Sequence, residues 1–519
     1  MYDLTSTSAS SLYEKLSLQR QPYLDRARDC AKLTIPHLLP DEGHTGSSQL
    51  YTPFQSIGAR SITGLSSKLL MALFPPNTPF FRLMVDPYKL DQVTGDPAVR
   101  TEIDVTLNSM EQAVMTEIET RNYRPYIHEA LKQLIVSGNV LINLPEKTGD
   151  MKVFKLDRFV VKRDPEGSLQ LIIIKESIAP ALLPDYLRNE YEEGNETKLE
   201  DTTDVYTVIH RSVDNPGEFE VWQEALGNRI EETVGTYKKD QLPWLPLRME
   251  VVTGESYGFG YAVQYLGDLK SLEALTQAMV EAAAVAAKCL FLVDPASQTR
   301  ARTLAESPNG AIREGRADDV TVVNMGGKAA DMRITYEAIG QIRDRLQFAF
   351  LLHQGIQRQG ERVTATEWRV LVEELENVLA GQYALLSAEF QLPLVQLLMG
   401  RMTKEKRLPK IPKDLVRPSI VTGIEALGRG HDLQRLDAFV QGAIQTLGPD
   451  IISQFMDVRD YLDRRANALG LVSEGLIKDE ATVAAEQQQA QMAAMAEKLG
   501  PAAIGGMSKQ AVEAEKNNG

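Results

Sequence analysis

Cysteine is nearly absent: Cys30 and Cys289 are the two in 519 residues. Two distant thiols build neither a disulfide framework nor a cysteine zinc site, and a reduced, cytoplasmic origin is expected. The six histidines are scattered and suggest no metal cluster. Long apolar runs are missing as well. The most apolar stretch, 278–293, is broken by Glu281 and Lys288 and is too short and too charged to span a bilayer. The opening Met-Tyr-Asp-Leu-Thr-Ser lacks the basic region and apolar run of a signal peptide. Positive charge is in deficit, 56 Lys and Arg against 71 Asp and Glu, a net charge of −15. Tight binding of nucleic acid by the general surface is thereby excluded, because it relies on Lys and Arg displacing counterions. Such a chain can still surround DNA without sticking to it.

Catalytic motifs are equally scarce. In His128-Glu129-Ala-Leu-Lys132 a lysine stands where a zincin needs its second histidine. Gly254, Gly258 and Gly260 miss the dinucleotide fingerprint and fit a hinge or helix start. Gly326-Gly-Lys-Ala lacks the Walker spacing and the hydroxyl after lysine. Glu373, Glu374 and Glu376 read as a solvated helix face rather than paired catalytic carboxylates. The expectation is a protein that is not an enzyme and carries no metal or cofactor.

What is present is length and helical periodicity. The chain exceeds one ordinary core, so several domains are expected. Residues 11–33 read as helix, with Pro22 placed to start a second one. Helices are also expected at 55–74, 97–120 and 125–136. From 139 to 250 short β-rich runs alternate with turn residues. They predict a mainly antiparallel module with one inserted helix near 184–191. A leucine-striped helix follows, ending in the alanine-rich 282–287, where small side chains let neighbouring helices approach. Residues 289–293 read as a strand and 299–328 as a small insertion, with strands at 311–313 and 320–323. Helix returns at 334–352.

The stretch 353–400 organises the whole. Its first ten residues hold Gly355 and Gly360 and no periodicity, which predicts a flexible loop. Thr364 and Glu367 then have capping-box spacing, with Val363 and Trp368 at the staple positions. Apolar residues at helical spacing continue to 399, interrupted by Gly381 and by Pro393, which is expected to kink the helix. Such a helix would run about 50 Å at ~1.5 Å per residue. A basic linker with Pro409 and Pro412, further helices and an Ala/Gln-rich end complete the chain.

Several ordered segments resemble the portal, or head-to-tail connector, proteins of short-tailed phages. They are Gly254-Glu-Ser-Tyr-Gly, Tyr265-Leu-Gly-Asp-Leu-Lys-Ser-Leu-Glu273, Gln357-Arg-Gln-Gly-Glu-Arg-Val-Thr-Ala365, Leu392-Pro-Leu-Val395 and Gly423-Ile-Glu-Ala-Leu-Gly-Arg-Gly430. The resemblance implies a mainly α fold with β-rich modules, an α+β portal fold. It implies a wing at 1–253, with the β-rich module at about 139–250, and a stem helix at 254–288. A clip at 289–331, a second stem helix at 332–352 and a tunnel loop at 353–363 follow. Then come a long kinked wing helix at 364–400, a linker at 401–416, crown helices at 417–480 and a tail at 481–519.

A dodecameric ring at one capsid vertex is implied, a conduit for double-stranded DNA read without regard to sequence. Implied partners are the terminase motor, a tail adaptor or tail tube protein, the major capsid and scaffolding proteins, and internal core proteins. The expected location is the virion, with host cytoplasm during assembly. Gln354, Gln357, Arg358, Gln359 and Arg362 are the candidate DNA-facing side chains. Thr364, Glu367, Gly381 and Pro393 are the candidate cap and kink. A helical capsid or scaffold protein without a channel, and a hydrolytic enzyme, are the competing classes.

Overall fold

In a computed structural model the described residues are 8–44, 46–75, 79–85, 97–146, 150–194, 201–286, 290–296, 300–308, 311–312, 314, 316–323, 329–352, 378–379, 381–409, 416–420, 428–447, 461–462 and 465. They fall into two units, residues 1–423 and 424–519. Helix and strand are mixed throughout the first.

Helix α1 (Ala9–Leu33) opens with the Ser8 hydroxyl accepting from the Ser11 N–H, and buries Leu16, Leu24, Ala27 and Cys30 at helical spacing. Pro22 does not begin a new helix; it sits inside this one. Pro22 and Leu18, whose carbonyl loses its donor, are both on the exposed face, where the carbonyl is open to solvent. Helix α2 (Ile57–Leu73) leads to strand β1 (Phe81–Val85) and helix α3 (Pro97–Thr120). Helix α4 (Arg124–Ser137) is the centre of the core: Ile127, Ala130, Leu131, Leu134 and Ile135 are fully buried.

Two antiparallel sheets follow. Strands β2 (Asn139–Asn143), β3 (Lys152–Phe154) and β9 (Trp244–Arg248) form one, in the order β3-β2-β9. The other is a meander of β4 (Phe159–Arg163), β5 (Leu169–Ile178), β6 (Thr203–Arg211), β7 (Glu218–Ala225) and β8 (Asn228–Lys238). Helix α5 (Asp185–Gly194) is the inserted one. The periodicity did not suggest β9, whose Pro246 cannot donate to a ladder. It is tolerated because β9 is an edge strand. At the other sheet's edge, β4 is closed by hydroxyls: Val161 N–H donates to Tyr257 and Arg163 N–H to Ser256.

Helix α6 (Leu266–Ala286) and helix α8 (Ala329–Ala349) flank a small insertion. Its strands are β10 (Leu290–Val293) and β11 (Val320–Val323), antiparallel, with a short helix α7 (Ala301–Ala305) between. The strand expected at 311–313 is not seen at residues 311 and 312. β10 and β11 form a two-stranded sheet without it, and Ile312 is 98% exposed, so no buried apolar face draws it into a ladder. Of the long helix, residues 378–379 and those from 381 onward are described. It passes through a π-helical turn (Ser387–Gln391) into α9 (Leu392–Lys404), so it runs beyond Gly400 into the stretch expected to be a linker. Strand β12 (Val416–Ile420), which the resemblance puts at the end of the linker and the start of the crown helices, pairs with β1 and so belongs to the first unit. In the second unit helix α10 (Gly428–Leu447) carries Asp437, which accepts from the Tyr461 hydroxyl at 2.8 Å.

Candidate functional site

The candidate site is the chain path from 254 to 404, built outward from a tight backbone crossing. Gly138 ends α4 at φ +76°, and a Cβ there would lie 2.3 Å from the Phe259 carbonyl carbon. A Cβ on Gly260 would lie 2.4 Å from the Val136 oxygen, and one on Gly258 2.6 Å from the Glu250 oxygen. Asn139 locks the crossing with two bonds, Nδ2 donating to the Gly258 carbonyl at 2.8 Å and Oδ1 accepting from the Gly258 N–H at 2.7 Å. Tyr257 is buried against β4, and burial pushes its hydroxyl up to about 12. Gly258 and Gly260 of the glycine motif therefore form a joint with Gly138, and from it the chain leads into α6, whereas Gly254 has open space around it.

Helices α6 and α8 run antiparallel. Leu269, Leu272, Ile342 and Leu346 are buried between and beneath them, and Arg345 pairs with Asp268 at 2.7 Å. Glu273 is buried in α6. It accepts from the Tyr51 hydroxyl at 2.6 Å and from the Phe54 N–H at 2.8 Å, pinning the extended 51–55 segment to the helix. The outer faces keep apolar side chains in water: Val280, Val285, Ile334 and Tyr336 are about half or more exposed.

At the base of α8, Tyr261 and Tyr265 pack on Phe350, and the Tyr261 hydroxyl donates to the Ala349 carbonyl at 2.9 Å. The described path stops at Leu352. Gln354, Gln357, Arg358, Gln359, Arg362, Thr364 and Glu367 lie outside the described residues.

The path resumes on the long helix. Gly381 is exposed, with open space where a Cβ would stand. Pro393 is at the start of α9, directly after the π turn. A proline ring collides with the carbonyl four residues back, here that of Glu389, and the wider turn relieves the collision. Inside that turn Glu389 is held by the Arg248 guanidinium and by the Arg248 N–H at 3.2 Å, with Arg163 at 4.0 Å. Burial lowers the Arg163 guanidinium to about 10 despite Glu389. The same helix caps α2: the Tyr383 hydroxyl and the Gln391 amide donate to the Ala72 and Leu73 carbonyls. Past its end, Arg407 reaches back to Glu117 on α3 at 2.6 Å. Pro393, Leu392, Leu242 and Leu245 line a surface groove of about 750 Å³.

Gly381 and Pro393 thus share one helix, which two sheets and two helices clamp. Sequence reasoning did not single out Glu389, Glu273, Arg163 or Arg248 as positioning groups. The available signal was a lone charge within an otherwise apolar helical stretch, as at Glu389. Among the described residues no group of acidic, His or Cys side chains could hold a metal, and no helix is long and apolar enough to cross a membrane. His128 contacts Ser66 and Ser67 at 3.0 and 3.2 Å. Its basicity is lowered by burial and then by Lys132.

A sequence model of bacteriophage head to tail connecting proteins matches residues 6–476, and the chain belongs to this family. Among individual relatives, the portal protein of Escherichia phage T7 is 39% identical over 96% of this chain and 92% of its own length. The portal protein of Enterobacteria phage T3 is 37% identical over 98% and 96%. That of Enterobacteria phage SP6 is 31% identical over 96% of each.

Proposed function

We propose that this chain is a portal protein whose copies form a dodecameric ring at one capsid vertex, the conduit through which double-stranded DNA is packaged and later ejected. The observation that carries the reading is end-to-end similarity to phage proteins that bear that name. The architecture supports it. The paired helices α6 and α8 act as the stem, the β10–β11 insertion as the clip, and the joint at Gly254–Gly260 ties the stem to the wing. The apolar outer faces of the stem then pack against neighbouring copies. The loop at 353–363 faces the channel, with Gln354, Gln357, Arg358, Gln359 and Arg362 touching phosphates without reading bases. An acidic chain lining a channel keeps DNA from adhering, so it slides.

The clip meets the terminase during packaging and a tail adaptor or tail tube protein afterwards. The wing and crown face the major capsid, scaffolding and internal core proteins. The chain hydrolyses no nucleotide; the motor supplies that step. The test is electron microscopy of purified protein, followed by packaging into procapsids assembled with it. Closed rings with a central channel, and nuclease-protected DNA that depends on the protein, are expected. Filaments or channel-free particles would move the assignment to a capsid or scaffold protein.

A further inference from the structure

Helix α8 ends in an arrangement that an ordinary surface loop does not need. The Leu351 N–H donates to the Phe348 carbonyl at 3.1 Å and the Leu352 N–H to the Gln347 carbonyl at 2.8 Å, the paired bonds of a Schellman C-cap. The residue at the left-handed position is usually glycine. Here it is Leu351, at φ +56° and only 2% exposed. A strained leucine persists where its surroundings over-determine it, and three contacts do so. The Lys68 ammonium, from α2, donates to the Leu351 carbonyl. Placed at a helix C-terminus, that charge also meets the negative end of the helix dipole. One turn earlier on the same face of α2 is Gly64, where a Cβ would stand 2.8 Å from Leu352 Cδ2, so the missing side chain is the seat for Leu352. The Tyr261 hydroxyl holds the Ala349 carbonyl from the other side.

We propose that Lys68, with the Gly64 seat, is the positioning residue that fixes the direction in which the chain leaves the stem and enters the 353–363 loop. The inference rests on the reading of that loop as the channel loop. Glycine at 351 would close the helix without strain but leave the exit direction loose. The Lys68 contact fixes the direction, and in a ring every copy leaves its stem at Leu352 in the same way.

The test uses rings of Lys68→Met, Lys68→Arg and Gly64→Leu beside the parent. In Lys68→Met, amide exchange of the 347–352 peptide rises about tenfold, as expected for loss of one charge-assisted hydrogen bond. Exchange of the 266–286 helix stays as in the parent. Procapsids carrying Lys68→Met retain several-fold less nuclease-protected DNA, and Lys68→Arg restores both readouts. Gly64→Leu, whose side chain fills the space that Leu352 occupies without touching the charge, repeats the Lys68→Met pattern and carries the test if that variant fails to assemble. Rings of Lys68→Met that hold DNA as the parent does would overturn the proposal. So would a loss that Lys68→Arg does not restore. A parent protein that forms no ring, or packages no DNA, instead removes the portal reading itself.

Discussion

Gly138 and Gly260 cross where a methyl group has no room. The backbone of Phe259 lies against Gly138 and the carbonyl of Val136 against Gly260, and neither is a flexible side-chain tip that could swing away. Gly138→Ala adds a left-handed alanine to an overpacked contact, so a loss of roughly 2–4 kcal/mol is expected. The urea midpoint of the variant measures it. A midpoint within error of the parent would mean that the crossing can open. Glu117 gives a pH signature. Burial raises its carboxyl, but hydrogen bonds from Arg407 and Arg121 outweigh that and leave it below the ordinary carboxylate value. A carboxyl lowered by folding stabilises above its unfolded pKa, and the contribution fades as pH falls through the folded one. Glu117→Gln should therefore be less stable than the parent near neutrality and converge with it in acid, as followed by thermal unfolding across that range. The glycines at 254–260 were visible in the sequence as a hinge or helix start. Their partner Gly138 was not, because the two segments meet only after the intervening sheets have formed.

Helices were the most legible elements, because an apolar stripe of period 3.6 needs no distant partner to be read. The antiparallel module between 139 and 250 was legible for the same local reason, through alternation and turn residues. What escaped was set by long-range pairing. β1 and β12 are each five residues long and pair across more than three hundred positions, and neither alone announces the other. At residues 311 and 312 the expected strand errs in the opposite sense, since local composition is suitable but Ile312 stays exposed and has no buried face to gain by pairing. The candidate channel residues at 354–362 rest on composition and resemblance and lie outside the described path, whereas the clamps on the helix beyond them emerge only in three dimensions. Pro22 shows how burial overrides a local stop signal. The apolar residues on both sides of it belong to one continuous buried stripe, from Leu16 to Leu24, so the helix continues through it at a cost. Pro22→Ala restores the N–H that can meet the Leu18 carbonyl, on an exposed face where nothing else changes. A gain of about 2 kcal/mol is expected, short of the ~3 kcal/mol for a helix-interior proline because the unfolded chain gains freedom. A rise in the thermal midpoint checks it, and a fall would mean that the proline fits the helix without loss.

At the scale of the molecule, what one copy leaves uncovered argues for assembly. Val280 and Val285 on α6, and Ile334 and Tyr336 on α8, are 49%, 54%, 66% and 67% exposed in a single chain. Scattered apolar side chains are ordinary on a surface. Here they decorate the two helices that carry the insertion, while Leu269, Leu272, Ile342 and Leu346 already satisfy the packing within the chain. The inner seam thus stabilises the fold, and the outer faces are free to meet another copy through different surfaces on either side. That heterologous arrangement closes into a ring when the rotation per subunit divides the circle. The net charge of −15 opposes assembly through simple self-repulsion, so the contact must be apolar and close-packed to overcome it. Ile334→Asp separates the two roles. It places a charge on an outer face without touching the inner seam, so the chain should keep its helical circular dichroism and its thermal unfolding. Mass photometry should then find free subunits where the parent gives rings. Raising salt should recover little, because the loss is of apolar burial and of the desolvation of a carboxylate rather than of a screened repulsion. Rings of normal mass from this variant would show that the outer face of α8 is not where copies meet, and would leave α6 and the β-module as the surfaces that close the ring.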